Sequence, residues 1–128
     1  MGPEAGPLII GGKSLGGRLA TLLEAERPLA DGILLLGYPL HPAGRPERLR
    51  TAHLARITVP MYFVAGTRDP LCRLDLLRST LAALRAPTHL HGVPEGDHSF
   101  RVPRRTGRTE SEVYEDIAAV TARWLGLA

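Results

Sequence analysis

The sequence predicts an α/β fold with three layers, in which about four parallel strands are flanked by helices. Three observations lead to this prediction. Short apolar segments alternate with segments in which apolar residues recur at helical spacing, and such alternation is typical of a parallel sheet joined by right-handed crossovers. Prolines and glycines separate these segments. The 128 residues, 44% of them hydrophobic and 23% charged, suffice for one folded domain with a core of its own.

The first half of the chain contains the clearest strand and helix signals. The unbroken apolar run Leu8–Ile10, followed at once by glycine, predicts a strand buried on both faces. A helix is predicted over residues 15–26, since Pro28 prevents its continuation. Its apolar positions are four leucines, Leu15, Leu19, Leu22 and Leu23. A second doubly buried strand is predicted over residues 32–37.

The second half repeats the alternation. Beyond the second strand, prolines predict a loop that leads into a short helical piece. The predicted elements that follow are a strand over 59–66, a helix over 75–85, a strand over 88–93 and a helix over 110–125. We therefore expect residues 1–128 to form a single domain.

Composition excludes several classes of protein. The net charge of +3 comes from scattered arginines. One dense basic stretch, Arg101–Arg108, lacks the interleaved aromatic residues of a nucleic-acid site, and we interpret it as a solvated loop, with anion binding as the alternative. No apolar run approaches the ~20 residues of a membrane span. The segment Met1–Pro7 lacks a signal-peptide pattern. A cytoplasmic protein that binds neither nucleic acid nor membrane is the default expectation.

The strongest chemical signal is a G-x-S-x-G motif over residues 12–16, directly after a predicted strand and directly before a predicted helix. A serine on such a sharp turn projects its hydroxyl from the carboxyl edge of the sheet, which makes Ser14 a candidate nucleophile. The amide of Leu15 then becomes a candidate oxyanion donor at the helix start. The alternatives are a glycine-rich connection with an N-capping serine, or a phosphate loop. The latter requires glycine where Pro7 stands.

A serine nucleophile needs a base, which in turn needs an acid. Asp69 follows the third predicted strand and His98 follows the fourth. Carboxyl ends of parallel strands meet at one edge of a sheet, so Ser14, Asp69 and His98 are expected to converge in the chain order of a hydrolase triad. The structural alternatives are a turn-forming aspartate and a loop-holding histidine. Asp97 is the rival acid, but next to His98 it is better placed to fix the loop.

Other reactive side chains receive weaker functional interpretations. Tyr38 and His41 follow the second strand and are candidate substrate-binding residues, with a structural role in a proline-stiffened loop as the favoured alternative. The three histidines without metal-ligand spacing, His53, His89 and His91, are interpreted as structural. Cys72 is the one cysteine, which excludes an internal disulfide and a thiolate metal cluster. We expect it to pack in the core and predict no metal site.

These motifs together resemble the α/β-hydrolases. The resemblance is carried by Gly11–Arg18, Gly37–Pro42, the Gly66–Pro70 turn and Gly96–Phe100. It is greatest to the branch that contains testis-expressed protein 30 and a related subunit of the non-specific-lethal histone acetyltransferase complex, and the group is also similar to dienelactone hydrolases. The resemblance implies the C-terminal part of an α/β-hydrolase fold. It also implies a serine hydrolase of small-molecule esters, thioesters or related acyl bonds that uses no cofactor.

The chain departs from this family at its start. Members have several strands and helices before the nucleophile strand, including the loop that supplies a second oxyanion donor, whereas seven residues precede Leu8 here. We therefore expect a truncated domain with weak activity, because loss of one donor costs ~10²–10³ in rate. We also expect homo-oligomers or aggregates that form through the bare edge of the first strand. The sequence leaves four interpretations of the chain open: a fragment, an abbreviated homologue, half of an assembly, or a non-catalytic interaction module.

Overall fold

The computed structural model describes residues 6–127, and within them the predicted fold class is confirmed. Four parallel strands form one sheet in the order β1-β2-β3-β4, flanked by helices. The strands are β1 (Ile9–Lys13), β2 (Gly32–Leu36), β3 (Met61–Gly66) and β4 (Thr88–Val93). The α-helices are α1 (Leu15–Glu26), α2 (Leu74–Ala82) and α3 (Glu110–Trp124), and short 3₁₀ helices lie at Ala52–Arg56 and Arg104–Thr106.

The strand register brings the carboxyl ends of the strands to one edge. Lys13 pairs with Leu36, Leu36 with Val64, and Gly66 with Val93. The ladder continues one residue further, because the amides of Ser14 and Gly37 donate to the carbonyls of Leu36 and Val64 at 2.8 and 2.9 Å. The loops that follow β1, β2 and β3 therefore start side by side, which is the arrangement needed to assemble a site from distant segments.

The two faces of the sheet are covered unequally. The larger core lies where α1, α2 and the first 3₁₀ helix pack on one face, around Ile33, Leu35 and Phe63. The smaller core lies on the opposite face, where α3 packs on β3 and β4 around Val64 and Ile117. On this second face, no described helix packs over β1 and β2.

This imbalance corrects the prediction that the first strand is buried on both faces. Leu8 and Ile9 are exposed, because β1 is an edge strand and its second face has no helix above it. The second strand is fully buried on one face only, since Leu34 and Leu36 on the other face are half-buried. Apolar content alone could not distinguish a covered face from an open one.

The predicted bounds of α1 are confirmed, but the predicted inner face is wrong. Leu15, Leu19 and Leu23 are 57%, 54% and 50% exposed, whereas Gly17, Thr21 and Glu24 face inward. The two polar side chains are satisfied there. Thr21 hydrogen-bonds to His53 at 2.8 Å, and the Glu24 carboxylate accepts two backbone amides, those of residues 29 and 30, at 2.9 Å each.

The remaining elements differ from prediction mainly at their ends. The bounds of β4 are confirmed, β3 begins at Met61, and α2 ends at Ala82. A capping box between Thr109 and Glu112 begins α3. Within residues 6–127, no helix combines the length and apolarity that a membrane crossing demands.

Burial of His53 predicts that the fold loses stability in mild acid. Burial lowers the pKa of His53 below its ordinary 6.5, and the nearby Arg18 and Arg56 add to this shift. The pKa of His91 is also lowered, chiefly by burial. In mild acid these histidines bind protons in the unfolded chain but not in the folded chain. The free energy of unfolding therefore falls as the pH drops through about 6.5.

Urea unfolding between about pH 7.5 and about pH 5, above the ordinary carboxylate pKa values, measures this loss. His53→Gln should reduce the pH dependence of the free energy of unfolding, and His91→Gln should reduce it further. An undiminished pH slope in both variants would contradict the assignment.

Candidate active site

Ser14 occupies the turn between β1 and α1 in a backbone conformation that is rare for a residue with a side chain. Its φ is 53° and its ψ is −123°. Such a conformation costs ~1–3 kcal/mol and persists only where the surroundings enforce it. Here the Ser14 amide is held by the Leu36 carbonyl. The turn projects the hydroxyl from the carboxyl edge, as the sequence motif predicts.

Close approach of two backbones requires glycine at this turn. A Cβ added at Gly12 would lie 2.6 Å from the carbonyl carbon of Gly16, and one added at Gly17 would lie 2.8 Å from the Gly12 oxygen. A Cβ at Gly16 would meet nothing within 4 Å. The steric pair is therefore Gly12 and Gly17, rather than the two glycines of the motif.

The structure brings the three predicted triad residues together. The Ser14 Oγ lies 2.7 Å from His98 Nε2, and His98 Nδ1 lies 2.7 Å from Asp69 Oδ2. The Asp69 side chain is fully buried, whereas that of His98 is 24% exposed. A substrate can thus reach the imidazole while the carboxylate behind it is shielded from water.

The hydrogen bonds of Asp69 define the tautomer of His98. An ionised carboxylate only accepts, so His98 Nδ1–H donates to Asp69 and, in the neutral ring, Nε2 accepts from the Ser14 hydroxyl. The other carboxylate oxygen accepts the Leu71 amide at 2.8 Å, which fixes its orientation.

Burial, with a smaller contribution from Asp69, raises the pKa of Cys72 to about 12. That thiol therefore stays protonated and unreactive at neutral pH.

Asp97 fixes the histidine loop, as expected from the sequence. Its Oδ1 accepts the amides of Ser99 and Arg101 at 2.8 and 2.9 Å. Phe100, at a φ of 65°, turns back into the smaller core. His98 is thereby presented at the end of a tightly held loop.

Gly37, which follows β2, and Gly66, which ends β3, make room for that loop, a role that sequence reasoning missed. A Cβ at Gly66 would lie 2.2 Å from the Gly96 oxygen. Gly37 has a φ of 66°, and its Cβ would lie 3.1 Å from the His98 oxygen and 3.6 Å from the imidazole Cε1. Glycine directly after a buried strand was the available signal, but without the fold it does not indicate which loop approaches.

The Leu15 amide lies at the first position of α1, where no carbonyl one turn earlier can accept its proton. It is therefore available, with the positive end of the helix dipole, to an anion formed beside Ser14.

The structure places Tyr38 and His41, the two candidate substrate-binding residues, inside the fold. Both are almost fully buried. The Tyr38 hydroxyl donates to the Arg50 carbonyl at 2.8 Å. His41 Nδ1 donates to the Pro42 carbonyl at 2.9 Å, and its Nε2 accepts the Arg73 amide at 3.0 Å. Their polar atoms are occupied within the fold, which favours the structural alternative.

Two arginines of the basic stretch are paired within the fold. Arg105 pairs with Glu95 and Arg108 pairs with Asp116, so half of the basic stretch is neutralised locally. Within residues 6–127, no group of three or more potential metal-ligating side chains converges on one point.

A family model described as an alpha/beta hydrolase domain matches residues 2–126. Similar solved structures include the esterase domain of a Rhodothermus marinus protein, with 14% identity and a TM-score of 0.68 over 92% of this chain and 60% of that one. A protein of unknown function from Agrobacterium tumefaciens has 16% identity and a TM-score of 0.65, over 92% and 51%. A CIB-like hydrolase from Thermoplasma acidophilum has 18% identity and a TM-score of 0.57, over 88% and 49%.

At these identities the likeness concerns the fold alone. The chain spans between about half and three-fifths of the length of these three structures.

The contact between Gly37 and His98 predicts a positioning effect. Gly37→Ala should displace the imidazole, because its new methyl group would press on the His98 loop in addition to the backbone strain. The Nδ1 proton shared with Asp69 should give a far-downfield NMR resonance in the parent chain, and this resonance should be lost or shifted in the variant.

Gly44→Ala is the matched control, because Gly44 has a similar φ of 72° but open space around its Cβ position. An unchanged resonance in Gly37→Ala, or equal changes in both variants, would contradict the role of Gly37.

Proposed function

Because the chain belongs to the alpha/beta hydrolase domain family, we propose that it is a serine hydrolase that cleaves esters, thioesters or related acyl bonds. The observation that carries this proposal is the unbroken pair of 2.7 Å hydrogen bonds from Ser14 through His98 to Asp69. The strained backbone at Ser14 supports it, since strain of this kind collects at functional sites.

In the proposed reaction, Ser14 Oγ attacks the substrate carbonyl carbon as His98 Nε2 takes the hydroxyl proton. Asp69 stabilises the imidazolium that forms, and the Leu15 amide donates to the oxyanion. The tetrahedral intermediate collapses when His98 returns the proton to the leaving group, which leaves an acyl ester on Ser14. Water, deprotonated by His98, then releases the acid and restores the serine. These steps require no metal or organic cofactor.

The proposed substrates are small activated acyl compounds. Among the described residues, the Leu15 amide is the donor at the helix start beside Ser14, and one such donor is worth ~10²–10³ in rate. Substrates with good leaving groups depend least on further donors, because collapse of their tetrahedral intermediate needs little help.

A second candidate function is a non-catalytic interaction module. It is favoured by the exposed apolar surface around β1, which includes Leu8, Ile9 and the outward leucines of α1. The sequence resemblance to a branch that includes a complex subunit agrees with it. Reactivity toward a phosphonate distinguishes the two functions, because only a working Ser14–His98 pair reacts.

The nucleophile assignment predicts labelling by a fluorophosphonate and release of p-nitrophenol from p-nitrophenyl acetate. Both signals should vanish in Ser14→Ala, which removes the attacking oxygen. Ser79→Ala is the control, because Ser79 is exposed on α2 and bonds only to the Asp75 carbonyl. Equal signals from Ser14→Ala and the parent chain would remove Ser14 as nucleophile, and silence of all three proteins would favour the interaction module.

The acid assignment predicts different results for the two candidate aspartates, Asp69 and Asp97. Asp69→Asn should slow labelling by up to ~10⁴, because the amide no longer holds the required tautomer or stabilises the imidazolium. Asp97→Asn should have little effect, since the amide oxygen can still accept the two loop amides. The second-order labelling rate constant measures both, and a larger loss in Asp97→Asn would assign the acid to Asp97.

A further inference from the structure

The segment that carries the candidate acid, residues 69–73, lies between β3 and α2, and we call it the acid turn. Asp69 lies three residues beyond Gly66, the last residue of β3, so the strand ladder does not itself fix the carboxylate. Within the turn, the Leu71 amide donates to Asp69 Oδ1 at 2.8 Å and the Cys72 amide donates to the Asp69 carbonyl at 3.2 Å. These bonds shape the turn but do not attach it to another segment.

His41 attaches the acid turn to the segment that follows β2, residues 37–42, which we call the β2 loop. The His41 backbone amide donates to the Leu71 carbonyl at 3.2 Å, and its ring Nε2 accepts the Arg73 amide at 3.0 Å. The two bonds reach the acid turn two residues apart. Because the Leu71 amide also donates to the Asp69 carboxylate, Leu71 connects His41 directly to the acid.

The tautomer of His41 makes its ring an acceptor for the acid turn. The Nδ1–H group donates to the Pro42 carbonyl at 2.9 Å, so Nε2 of the neutral ring is unprotonated and can accept the Arg73 amide. His41 is 1% exposed, and water cannot reach the ring to replace it as the partner of this amide. Loss of the ring would therefore leave the Arg73 amide without its acceptor, which favours a shift of the turn.

The β2 loop is itself held in place, so it can serve as a fixed support for the acid turn. Tyr38 and Leu40 are buried in the larger core. The Leu40 carbonyl accepts the Arg50 amide, and the Tyr38 hydroxyl donates to the Arg50 carbonyl, both at 2.8 Å. The first residue of the same loop, Gly37, closely approaches His98. One loop therefore contacts both the segment that carries the acid and the segment that carries the base.

We propose that His41 is a positioning residue, which acts through the acid turn to keep the Asp69 carboxylate aligned with the His98 imidazole. This inference rests on the proposed function, because the alignment affects a rate only if Ser14 reacts. Both ring nitrogens of His41 are occupied within the fold, so the ring does not itself bind substrate. A displacement of ~1 Å at a catalytic group can cost ~10² in rate, which sets the size of the expected effect.

Two variants of the full chain separate the two ring contacts of His41. In His41→Asn, the side-chain amide reaches the position of Nδ1 and can still donate to Pro42, but it is too short to accept the Arg73 amide. In His41→Gln, the amide oxygen reaches the position of Nε2 and can accept. We expect His41→Asn to lower the second-order rate constant of fluorophosphonate labelling by ~10–100-fold, whereas His41→Gln should keep most of the parent rate. Equal rates in His41→Asn and the parent would contradict the proposal.

His53→Asn is the matched control. His53 is also a buried histidine with a hydrogen-bonded Nε2, whose partner is Thr21 at 2.8 Å. Within residues 6–127, no hydrogen bond joins it to the acid turn. We expect urea unfolding to show a loss of stability in His53→Asn without a loss of labelling rate. If the rate falls in both asparagine variants in proportion to stability, His41 has no specific positioning role.

A double-mutant cycle tests whether His41 acts through Asp69. The labelling rate constant is measured for the parent chain, His41→Asn, Asp69→Asn and the double variant. Once Asp69→Asn has removed the carboxylate, His41→Asn should cost no further rate, because residues that act in one chain of contacts do not contribute independently. Fully additive losses would overturn the proposal, since they would assign the effect of His41 to another part of the molecule.

NMR tests the proposal without a reaction. The parent chain should show a scalar coupling across the hydrogen bond between the Arg73 amide nitrogen and His41 Nε2, and its absence would overturn the proposal even if a variant does not fold. The downfield proton on His98 Nδ1 should shift in His41→Asn but not in His41→Gln. If it does so in a chain that is not labelled, the proposed function fails while the alignment of Asp69 by His41 is supported. A labelled parent chain with an unchanged proton resonance in His41→Asn would contradict the positioning role alone.

Discussion

The close crossing of β1 and α1 at Gly12 and Gly17 is the constraint on which the rest of the structure depends. The two backbones are so near that neither position tolerates a Cβ. This contact closes the sharp turn at Ser14 and lies on the face of α1 that is buried. The nucleophile turn and the inner face of the helix thus share one close contact.

Rotation of α1 has consequences on both sides of the helix. Thr21 and Glu24 face inward. Thr21 hydrogen-bonds to His53, and the Glu24 carboxylate accepts two backbone amides. An unsatisfied buried group would cost about 1–3 kcal/mol, so these partners are necessary rather than incidental. Facing outward are leucines that a hydrophobic pattern would place inside. Full burial of a leucine side chain is ordinarily favourable by ~1.5–3 kcal/mol, yet Leu15, Leu19 and Leu23 are about half exposed.

Most of the fold could be predicted from the sequence, because strand and helix periodicity and the glycine and proline boundaries are local properties. The chain order of Ser14, Asp69 and His98 on successive strand ends likewise sufficed to predict their convergence, since parallel strands share an edge. Three features were beyond local reasoning. The open face of β1 depends on which helices cover the sheet, the inner face of α1 depends on its close approach to β1, and the contact between Gly37 and His98 joins two loops.

The backbone at Ser14 also bears on how such a chain would diverge over time. Glycine adopts a φ of 53° and a ψ of −123° without the penalty that serine incurs. A lineage that retained the fold only for binding would relieve this strain by exchanging the serine for glycine. Persistence of serine at this position across descendants would therefore indicate continued selection for its hydroxyl. Glycine would indicate a lineage in which catalysis is no longer selected.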